Sequence, residues 1–334
     1  MVKKEKIWSI LVHLSMHMWE KEYDTLPFDD KMWEDIIRSS EKSGVNMIVL
    51  DIGDGIEFGS HPEIAMKGAW TRRRVREEIR RCRDAGITLI PKLNFATPHN
   101  KWLGEYRRML STNTFYRLAN DLIKEVYNLF EKPEYIHLGY DEEDARHVAH
   151  FQYAVYRQKD LFWHDLNFLY DCVDDTGATP WVWSCPLYRH TEDYGKHFGP
   201  NDAVLSPWYY NAFNPEHWTP VESRTEYVAY YNQDRYKDLG IKFVEEDPYL
   251  VDFRNVTPDA IKAGYKFIPC ASVFNRCDWN TYDLVEYFKN LCPDEQILGY
   301  MTAPWVSTLP TNESLQFWEE SFRFLKEAKE AFYQ

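Results

Sequence analysis

Four consecutive acidic residues, Asp141 to Asp144, follow a short apolar stretch, YIHLGY, near the middle of the chain. A buried strand that ends in carboxylates delivers groups able to give or take a proton to one edge of a sheet. Neighbouring side chains of a regular strand point to opposite faces, so Asp141 and Glu142 can share one site only where the strand becomes a loop. Glu143 and Asp144 are expected to be solvated loop residues.

The ends of the other predicted strands carry polar and aromatic side chains. Carboxylates among Trp, Tyr and Asn are typical of a carbohydrate site, because hydroxyls need hydrogen-bond partners and the apolar ring faces pack on indole. Glycosidases normally place two carboxyls about 5 to 9 Å apart across the bond. Adjacent residues suit that geometry poorly, so we expect one carboxyl to act as general acid while its neighbour orients a group supplied by the substrate. The substrate-binding candidates are His13, His17, Asp54, Asn94, His99, Tyr140, Trp181, Trp183, Trp208, Tyr209, Tyr210, Asn275, Trp279 and Trp305.

Strand and helix patterns alternate along the chain, which predicts a parallel sheet. About eight such units favour an α/β fold of the (β/α)8 TIM-barrel type, in which catalytic groups lie at the carboxyl ends of the strands. We expect one catalytic domain over residues 1–334. The predicted strands are Trp8–Met18, Asn46–Ile52, Ile87–Phe95, Tyr135–Tyr140, Pro180–Ser184, Ala203–Tyr209, Tyr265–Phe274 and Ile297–Ala303, with Ile241–Val244 either a barrel strand or part of an insertion. The predicted helices are Asp30–Ser43, Thr71–Ala85, Thr112–Phe130, Phe162–Asp174, Thr225–Leu239, Asp259–Ala263, Thr281–Leu291 and Asn312–Phe332.

Charge and motif content exclude several classes of partner. The net charge of −14 disfavours nucleic acid and anionic membrane surfaces. No Gly-rich nucleotide-binding loop follows a strand, so we expect no cofactor. His13, His17 and His99 match no known ligand spacing, so we expect no metal. The six cysteines show no CxxC spacing and are expected to be reduced core thiols.

The first residues combine basic side chains with an apolar run, as signal peptides do. Two histidines interrupt the run, however, and no small-residue cleavage site follows. A buried first strand explains the pattern better, and we expect the protein to be cytoplasmic. The sequence leaves open whether the protein forms a homo-oligomer.

Several segments resemble one group of glycoside hydrolases. HLGYDEE resembles the His-x-Gly-Gly-Asp-Glu motif of family-20 β-N-acetylhexosaminidases and, less specifically, the Asp-Glu pair of family-123 β-N-acetylgalactosaminidases. SGVNMIVLDIGD and TRRRVREEIRRCRDAGITLIPKLNFATPH are similar to segments of the second and third strands of that group, and AGYKFI and ILGYMTAPW are similar to its last two strands. The resemblance covers most of the barrel.

The resemblance implies an exo-acting, retaining glycosidase that releases a terminal β-linked N-acetylhexosamine. In these families the 2-acetamido oxygen of the substrate attacks the anomeric carbon and forms an oxazoline. Glu142 would then be the general acid/base, Asp141 would hold the acetamide N–H, and His99 would pair with the catalytic acid region. A general acid must be protonated near neutral pH, so we expect burial and Asp141 to raise the pKa of Glu142.

Aromatic residues complete the site that the resemblance implies. Trp305 would form the wall behind the acetamide group. One of Tyr209, Tyr210 and Asn275 would donate a hydrogen bond to the acetamide oxygen, and the sequence does not distinguish among these three. His137, inside the fourth strand, is expected to be a structural core residue.

The chain also departs from the family-20 pattern. Tyr140 replaces a glycine of the motif, which predicts a tyrosine side chain at the rim of the site. Lys92 and Asn94 stand where the family has Glu and Asp, and no arginine occurs between Trp8 and Trp19 to bind the sugar hydroxyls. Recognition of the hydroxyls must therefore differ from that in family 20.

These departures favour β-GalNAc over β-GlcNAc. An axial 4-hydroxyl leaves a C–H patch on one ring face, for which Trp181, Trp183, Trp208 and Trp279 are candidate partners. The axial oxygen itself needs a polar partner, for which His13, His17 and Asp54 are candidates. Two alternatives remain: a glycosidase with a conventional pair, such as Glu142 with Asp51 or Asp54, and a non-catalytic sugar-binding barrel.

Overall fold

A computed structural model describes residues 5–17, 23–149, 151–213, 217 and 248–334. The strands are β1 (Ile7–His13), β2 (Met47–Asp51), β3 (Thr88–Lys92), β4 (Tyr135–His137), β5 (Thr179–Trp183), β6 (Val204–Ser206), β7 (Lys266–Phe267), β8 (Cys270–Ala271) and β9 (Gly299–Thr302). The helices are α1 (Asp30–Ser43), α2 (Arg72–Asp84), α3 (Asn113–Leu129), α4 (Ala145–Val148), α5 (Lys159–Asp174), α6 (Cys185–Arg189), α7 (Thr191–His197), α8 (Pro248–Ala263), α9 (Asn280–Leu291) and α10 (Asn312–Tyr333). Short 3-10 segments cover Pro62–Ile64, Thr97–His99 and Lys101–Met109.

The strands form one parallel sheet that closes on itself. Neighbours run in the order β7-β6-β5-β4-β3-β2-β1-β9-β8. β7 and β8 together occupy one strand position of the barrel, because the segment that contains them forms hydrogen bonds with both flanking strands, β6 and β9. Ile268 N–H donates to the Leu205 carbonyl at 3.0 Å, and Met301 N–H donates to the Pro269 carbonyl at 2.8 Å. The barrel therefore has eight strand positions, as the sequence predicts.

Local signals set the starts of α1, α2 and α3 and the end of α1. Asp29, Thr71 and Thr112 accept hydrogen bonds from backbone amides at the starts of α1, α2 and α3. Gly44 ends α1 in a left-handed conformation (φ 70°). The ends of these helices lie within one residue of the predicted ones, because the caps are encoded in the sequence itself.

Other elements differ from the prediction. α8 begins at Pro248 rather than at Asp259, and the 3-10 segment Lys101–Met109 together with α4, α6 and α7 was not predicted. The predicted elements Thr225–Leu239 and Ile241–Val244 lie outside the described residues. Ile7–His13 is buried throughout, which agrees with a first strand.

Two apolar regions hold the barrel together. The larger one packs the outer faces of the strands against the helices. The smaller one fills the barrel interior with side chains such as Leu11, Val49, Ile90 and Met301. All six cysteines are buried and none forms a disulfide. Among the described residues, no helix is both long and apolar enough to cross a membrane.

Candidate active site

The turn after β4 is strained. Gly139, Tyr140 and Glu142 have φ angles of 66°, 64° and 57°, in the left-handed region that non-glycine residues rarely adopt. A Cβ at residue 139 would lie 2.2 Å from Oδ1 of Asn94, so only glycine fits there. Backbone strain of this kind is concentrated at functional sites.

This turn directs Tyr140 away from the site. Its ring is fully buried under the guanidinium of Arg157, 4.6 Å from the ring centre. Its hydroxyl donates to the Phe162 carbonyl at 3.2 Å. The predicted position at the rim is therefore wrong, because the left-handed backbone turns the ring into the layer between barrel and helices.

Asp141 is held on both of its oxygens. Asn94 Nδ2 donates to Oδ1 at 2.9 Å, and His99 Nε2 lies 3.3 Å from Oδ2. The amide of Asn94 is oriented by two backbone N–H groups, of Ala96 and Tyr140, that donate to its Oδ1. Asn94 thus fixes the direction of the Asp141 carboxylate.

Glu142 lies between two histidines. His99 Nε2 is 3.0 Å from Oε2, and His147 Nε2 is 3.2 Å from Oε1. Burial alone would raise the pKa of Glu142, but these two imidazoles hold it well below its usual range. The expected upward shift of the Glu142 pKa is therefore wrong, and the carboxyl is ionised near neutral pH.

The pKa values of His99 and His147 are also shifted by burial and by the neighbouring carboxylates. Burial acts to lower the pKa of His99 and of His147. Asp141 and Glu142 outweigh burial at His99, and Glu142 and Asp144 outweigh it at His147, so that each pKa rises to about 10. Near neutral pH, two imidazolium groups thus flank one carboxylate.

Glu143 is a buried anchor and not a solvated loop residue. Its side chain is 3% exposed and forms an ion pair with Arg157, whose side chain is 0% exposed. The backbone N–H of Thr97 donates to the same carboxylate at 2.6 Å. Arg157 also reaches Asp165 at 3.4 Å and the Phe95 carbonyl at 2.9 Å, so this cluster ties the acidic turn to the layer behind it.

Aromatic side chains form a wall beside the acidic turn. The rings of Trp183 and Trp305 lie 5.7 Å apart, and Tyr210 lies 6.2 Å from Trp305 and stacks on Trp208 at 5.1 Å. The pKa of Tyr210 is raised well above its ordinary value, first by burial and then by acidic neighbours that include Glu142. The Tyr210 hydroxyl therefore interacts electrostatically with the acidic turn.

Two other predicted aromatic residues lie elsewhere. Trp181 is fully buried inside the barrel, with its Nε1 donating to Ser206 Oγ at 2.7 Å. Tyr209 packs edge-to-face on Phe213 in the layer between barrel and helices. Both predicted binding positions are wrong, because the sequence does not give the direction of these side chains. Direction alternates along a strand, and after the strand it depends on the backbone angles of the loop.

A buried polar layer lies beneath this wall. The register pairs His13 with Asp51, Asp51 with Lys92, and Lys92 with His137. Lys92 forms an ion pair with Asp51, and His13 Nδ1 lies 3.3 Å from the same carboxylate. Burial would raise the pKa of Asp51, but Lys92 and His13 lower it to about 2. His13 is 1% exposed and is part of the barrel interior rather than of its mouth.

His17 and Asp54 form a pair after β1 and β2. His17 Nδ1 is 2.7 Å from Asp54 Oδ2, and the Tyr23 backbone N–H donates to His17 Nε2 at 2.8 Å. Ser15 Oγ bonds the other oxygen of Asp54. The two side chains are 15% and 7% exposed, so the pair is mostly enclosed.

Asn275 and Trp279 follow β8. Asn275 Nδ2 donates to Asn211 Oδ1 at 3.3 Å. Trp279 is 45% exposed and stacks on His217 at 3.9 Å. Neither has a described contact with Asp141 or Glu142.

Ligand-type atoms of His99, Asp141 and Glu142 lie within 4.8 Å of one another. The contacts of His99 Nε2 with both carboxylates, together with its raised pKa, mean that this nitrogen carries a proton and has no lone pair for a cation. We therefore interpret the group as an ion-pair cluster.

Two residues of this site, His147 and Arg157, were not predicted from the sequence. Neither residue directly follows a strand, and site residues were predicted only from the carboxyl ends of strands. An i, i+3 spacing of Asp144 and His147 was the one available signal, and it is common on any helix surface.

Neither family models nor curated proteins match this sequence. Solved structures do match. A family-20 β-N-acetylhexosaminidase from Streptomyces coelicolor A3(2) superposes with a TM-score of 0.62 at 15% identity, covering 97% of this chain and 64% of that one. An exo β-N-acetylglucosaminidase from Vibrio harveyi gives a TM-score of 0.60 at 12% identity, covering 97% and 54%. Dispersin B gives 0.58 at 13% identity, covering 97% and 98%.

At these identities the comparisons establish the fold. They agree with the family-20 resemblance in the sequence and with the (β/α)8 barrel. The chain spans 64% and 54% of the Streptomyces and Vibrio proteins, so their activity is carried over only as a proposal.

Proposed function

We propose that this protein is an exo-acting, retaining glycoside hydrolase that releases a terminal β-linked N-acetylhexosamine by substrate-assisted catalysis. One observation carries the proposal: the adjacent carboxylates of Asp141 and Glu142 both face His99, at 3.3 and 3.0 Å. The left-handed conformation of Glu142 brings two neighbouring side chains into one cluster, which a regular strand does not do.

The two carboxylates have separate roles. Asp141, oriented by Asn94, accepts the acetamide N–H and stabilises the positive charge that develops on its nitrogen while the acetamide oxygen attacks the anomeric carbon. Glu142 protonates the leaving oxygen and then takes a proton from the water that opens the oxazoline. The Tyr210 hydroxyl donates to the acetamide oxygen, and Trp183 and Trp305 enclose the group.

The two carboxylates that could act with Glu142 in a two-carboxylate mechanism already have hydrogen-bond or ion-pair partners. Asp51 is bound to Lys92 and His13 in the barrel interior, and Asp54 is bound to Ser15 and His17. A nucleophile supplied by the substrate removes the need for either one. This supports the substrate-assisted route over a two-carboxylate mechanism.

The deciding experiment compares p-nitrophenyl glycosides with and without the 2-acetamido group. We expect turnover only with the acetamido sugars and strong inhibition by a thiazoline analogue of the N-acetyl sugar. Turnover of sugars that lack the acetamide would favour the conventional mechanism, and saturable binding without turnover would favour a binding barrel. The Glu142→Gln variant should lose several orders of magnitude in rate on disaccharides and much less on activated aryl glycosides.

Asp141→Asn tests the second role. The amide keeps the shape of the side chain but cannot stabilise positive charge, so we expect a loss of about 3 kcal/mol, mostly in kcat. A variant that keeps kcat and only raises KM would limit Asp141 to ground-state binding.

We further propose a preference for β-GalNAc. The support is the absence of an arginine between Trp8 and Trp19. Each Asp54 oxygen has one partner, Ser15 or His17, and keeps a second lone pair that can accept a hydrogen bond from an axial hydroxyl. A site built around one hydroxyl can reject the epimer by about 10⁴-fold. A kcat/KM ratio at or below one for GalNAc over GlcNAc would remove this preference and leave the mechanism intact.

A further inference from the structure

A second histidine, His147, contacts the catalytic carboxyl from the side opposite His99. It lies in α4, and its Nε2 is 3.2 Å from Glu142 Oε1. Its Nδ1 lies 2.9 Å from Asp144 Oδ1, and the same oxygen accepts the His147 backbone N–H at 3.1 Å. Asp144 therefore fixes both the first turn of α4 and the orientation of the imidazole.

We propose that His147 is a positioning residue that stores the proton that Glu142 delivers to the leaving group. This inference rests on the proposed function, because it requires Glu142 to be the general acid. His147 does not touch the sugar and acts only through Glu142.

The geometry restricts where the proton can be. Both ring nitrogens of His147 face carboxylate oxygens, and an ionised carboxylate can only accept hydrogen bonds. Either both nitrogens carry protons and Glu142 is ionised, or the Nε2 proton has moved to Glu142 Oε1. The two forms differ by the transfer of one proton along a single hydrogen bond.

The chemistry needs such a store, because an ionised Glu142 cannot protonate a leaving group. In the first step the Nε2 proton passes to Glu142, and Glu142 gives it to the glycosidic oxygen. The C1–O bond then breaks as the acetamide oxygen bonds to C1. In the second step water attacks C1 and the bond between C1 and the acetamide oxygen breaks. Glu142 takes a proton from the water and passes it back to Nε2, so no other reactant is required.

The surrounding charges assign this role to His147 rather than to His99. His99 Nε2 contacts both Asp141 and Glu142, so its proton also forms a hydrogen bond with Asp141, the carboxylate that must stay ionised. His147 contacts Glu142 and Asp144. Among the described residues, Tyr156 and His190 also interact with Asp144, and Cys185 and Tyr210 interact with Glu142.

The test is the pH dependence of kcat/KM for a substrate with a poor leaving group. His147→Gln keeps an N–H donor for Glu142 but no proton that titrates. We expect its basic limb to move to lower pH by about one unit or more, with a rate loss on the order of 10²-fold that nearly disappears with an activated aryl glycoside. Asp144→Asn should shift the limb in the same direction by less. His164→Gln is a matched control, since that histidine is 62% exposed and bonded to Asp165, and should leave the profile unchanged.

The outcomes separate the two proposals. An unshifted basic limb in His147→Gln, with the rate lowered equally at all pH values, would reduce His147 to a structural contact. Absence of turnover by the wild-type protein on every glycoside would remove the proposed function and the proton step together. A turnover-independent measurement is NMR titration of the histidines, in which we expect His147 to titrate well above its ordinary pKa in the wild type and closer to it in Glu142→Gln. Ordinary titration of His147 in the wild-type protein would overturn the inference.

Discussion

Replacing Arg157 by Met tests whether the acidic turn is anchored from behind. Methionine approximates the length of the arginine stem but removes the guanidinium. Two buried carboxylates, Glu143 and Asp165, would lose their cation, and the Phe95 carbonyl would lose a donor at 2.9 Å. All three groups lie behind the turn that carries Asp141 and Glu142.

The loss of stability in Arg157→Met depends on the hydrogen bonds that Glu143 and Asp165 keep. Removing one partner of a buried ion pair costs about 3 to 5 kcal/mol. Glu143 keeps the Thr97 amide at 2.6 Å, and Asp165 keeps the hydroxyls of Ser111 and Tyr116, each at 2.6 Å. These bonds partly compensate the buried charges that lose their cation, so we expect a loss near the lower end, about 3 kcal/mol in the free energy of unfolding.

Urea unfolding of the wild type and the variant measures this loss from the midpoint and slope of each curve. Arg108→Met is the matched control, because Arg108 pairs with Glu105 at 3.2 Å with both side chains more than half exposed. Exposed pairs contribute about 0 to 1 kcal/mol. A loss for Arg157→Met no larger than that of the control would refute the anchoring role. Under conditions where the variant remains folded, we also expect a lower kcat, since the turn loses its support.

Two further predictions concern the groups around the acidic turn. Gly139→Ala should cost about 1 to 3 kcal/mol of stability and lower kcat, because the new Cβ displaces Asn94, whereas Gly86→Ala, also at positive φ (74°) but with nothing within 4 Å, should cost less and spare kcat. Equal effects of the two substitutions would contradict the clash. Lys92→Met should destabilise most at neutral pH, because the folded-state pKa of Asp51, about 2, lies below its ordinary 3.8. The roughly 2 kcal/mol that this shift contributes is present above pH 4 and is lost as the pH falls towards 2, so the difference between the two proteins should shrink over that range in urea unfolding. A difference that stays constant with pH would count against the Lys92–Asp51 pair as its source.

The order of strands and helices could be read from the sequence because its signals are local. Capping residues such as Thr71 and Thr112 mark where helices begin, and Gly44 marks where one ends. Apolar runs mark buried strands, and a parallel barrel brings all their carboxyl ends to one face. That geometry brings His99 to the same face as Asp141 and Glu142, and the family resemblance predicted their pairing.

The direction of individual side chains was decided by the tertiary structure. Tyr140 and Tyr209 both follow strands, yet one lies under Arg157 and the other against Phe213. Their orientation depends on backbone angles in the loops, which in turn depend on contacts such as that between Gly139 and Asn94. Such contacts join residues far apart in sequence and leave no periodic pattern.

The ionisation of the site was decided in the same way. An acid-rich run in the sequence suggests mutual repulsion and a raised pKa at Glu142, and burial does act in that direction. The fold places an imidazole on each of its oxygens, from the segments Thr97–His99 and Ala145–Val148, and these reverse the shift. The sequence alone determined which carboxyls meet at the barrel mouth, while the fold determined which cations face them, because the strength of an electrostatic interaction depends on distances that only packing sets.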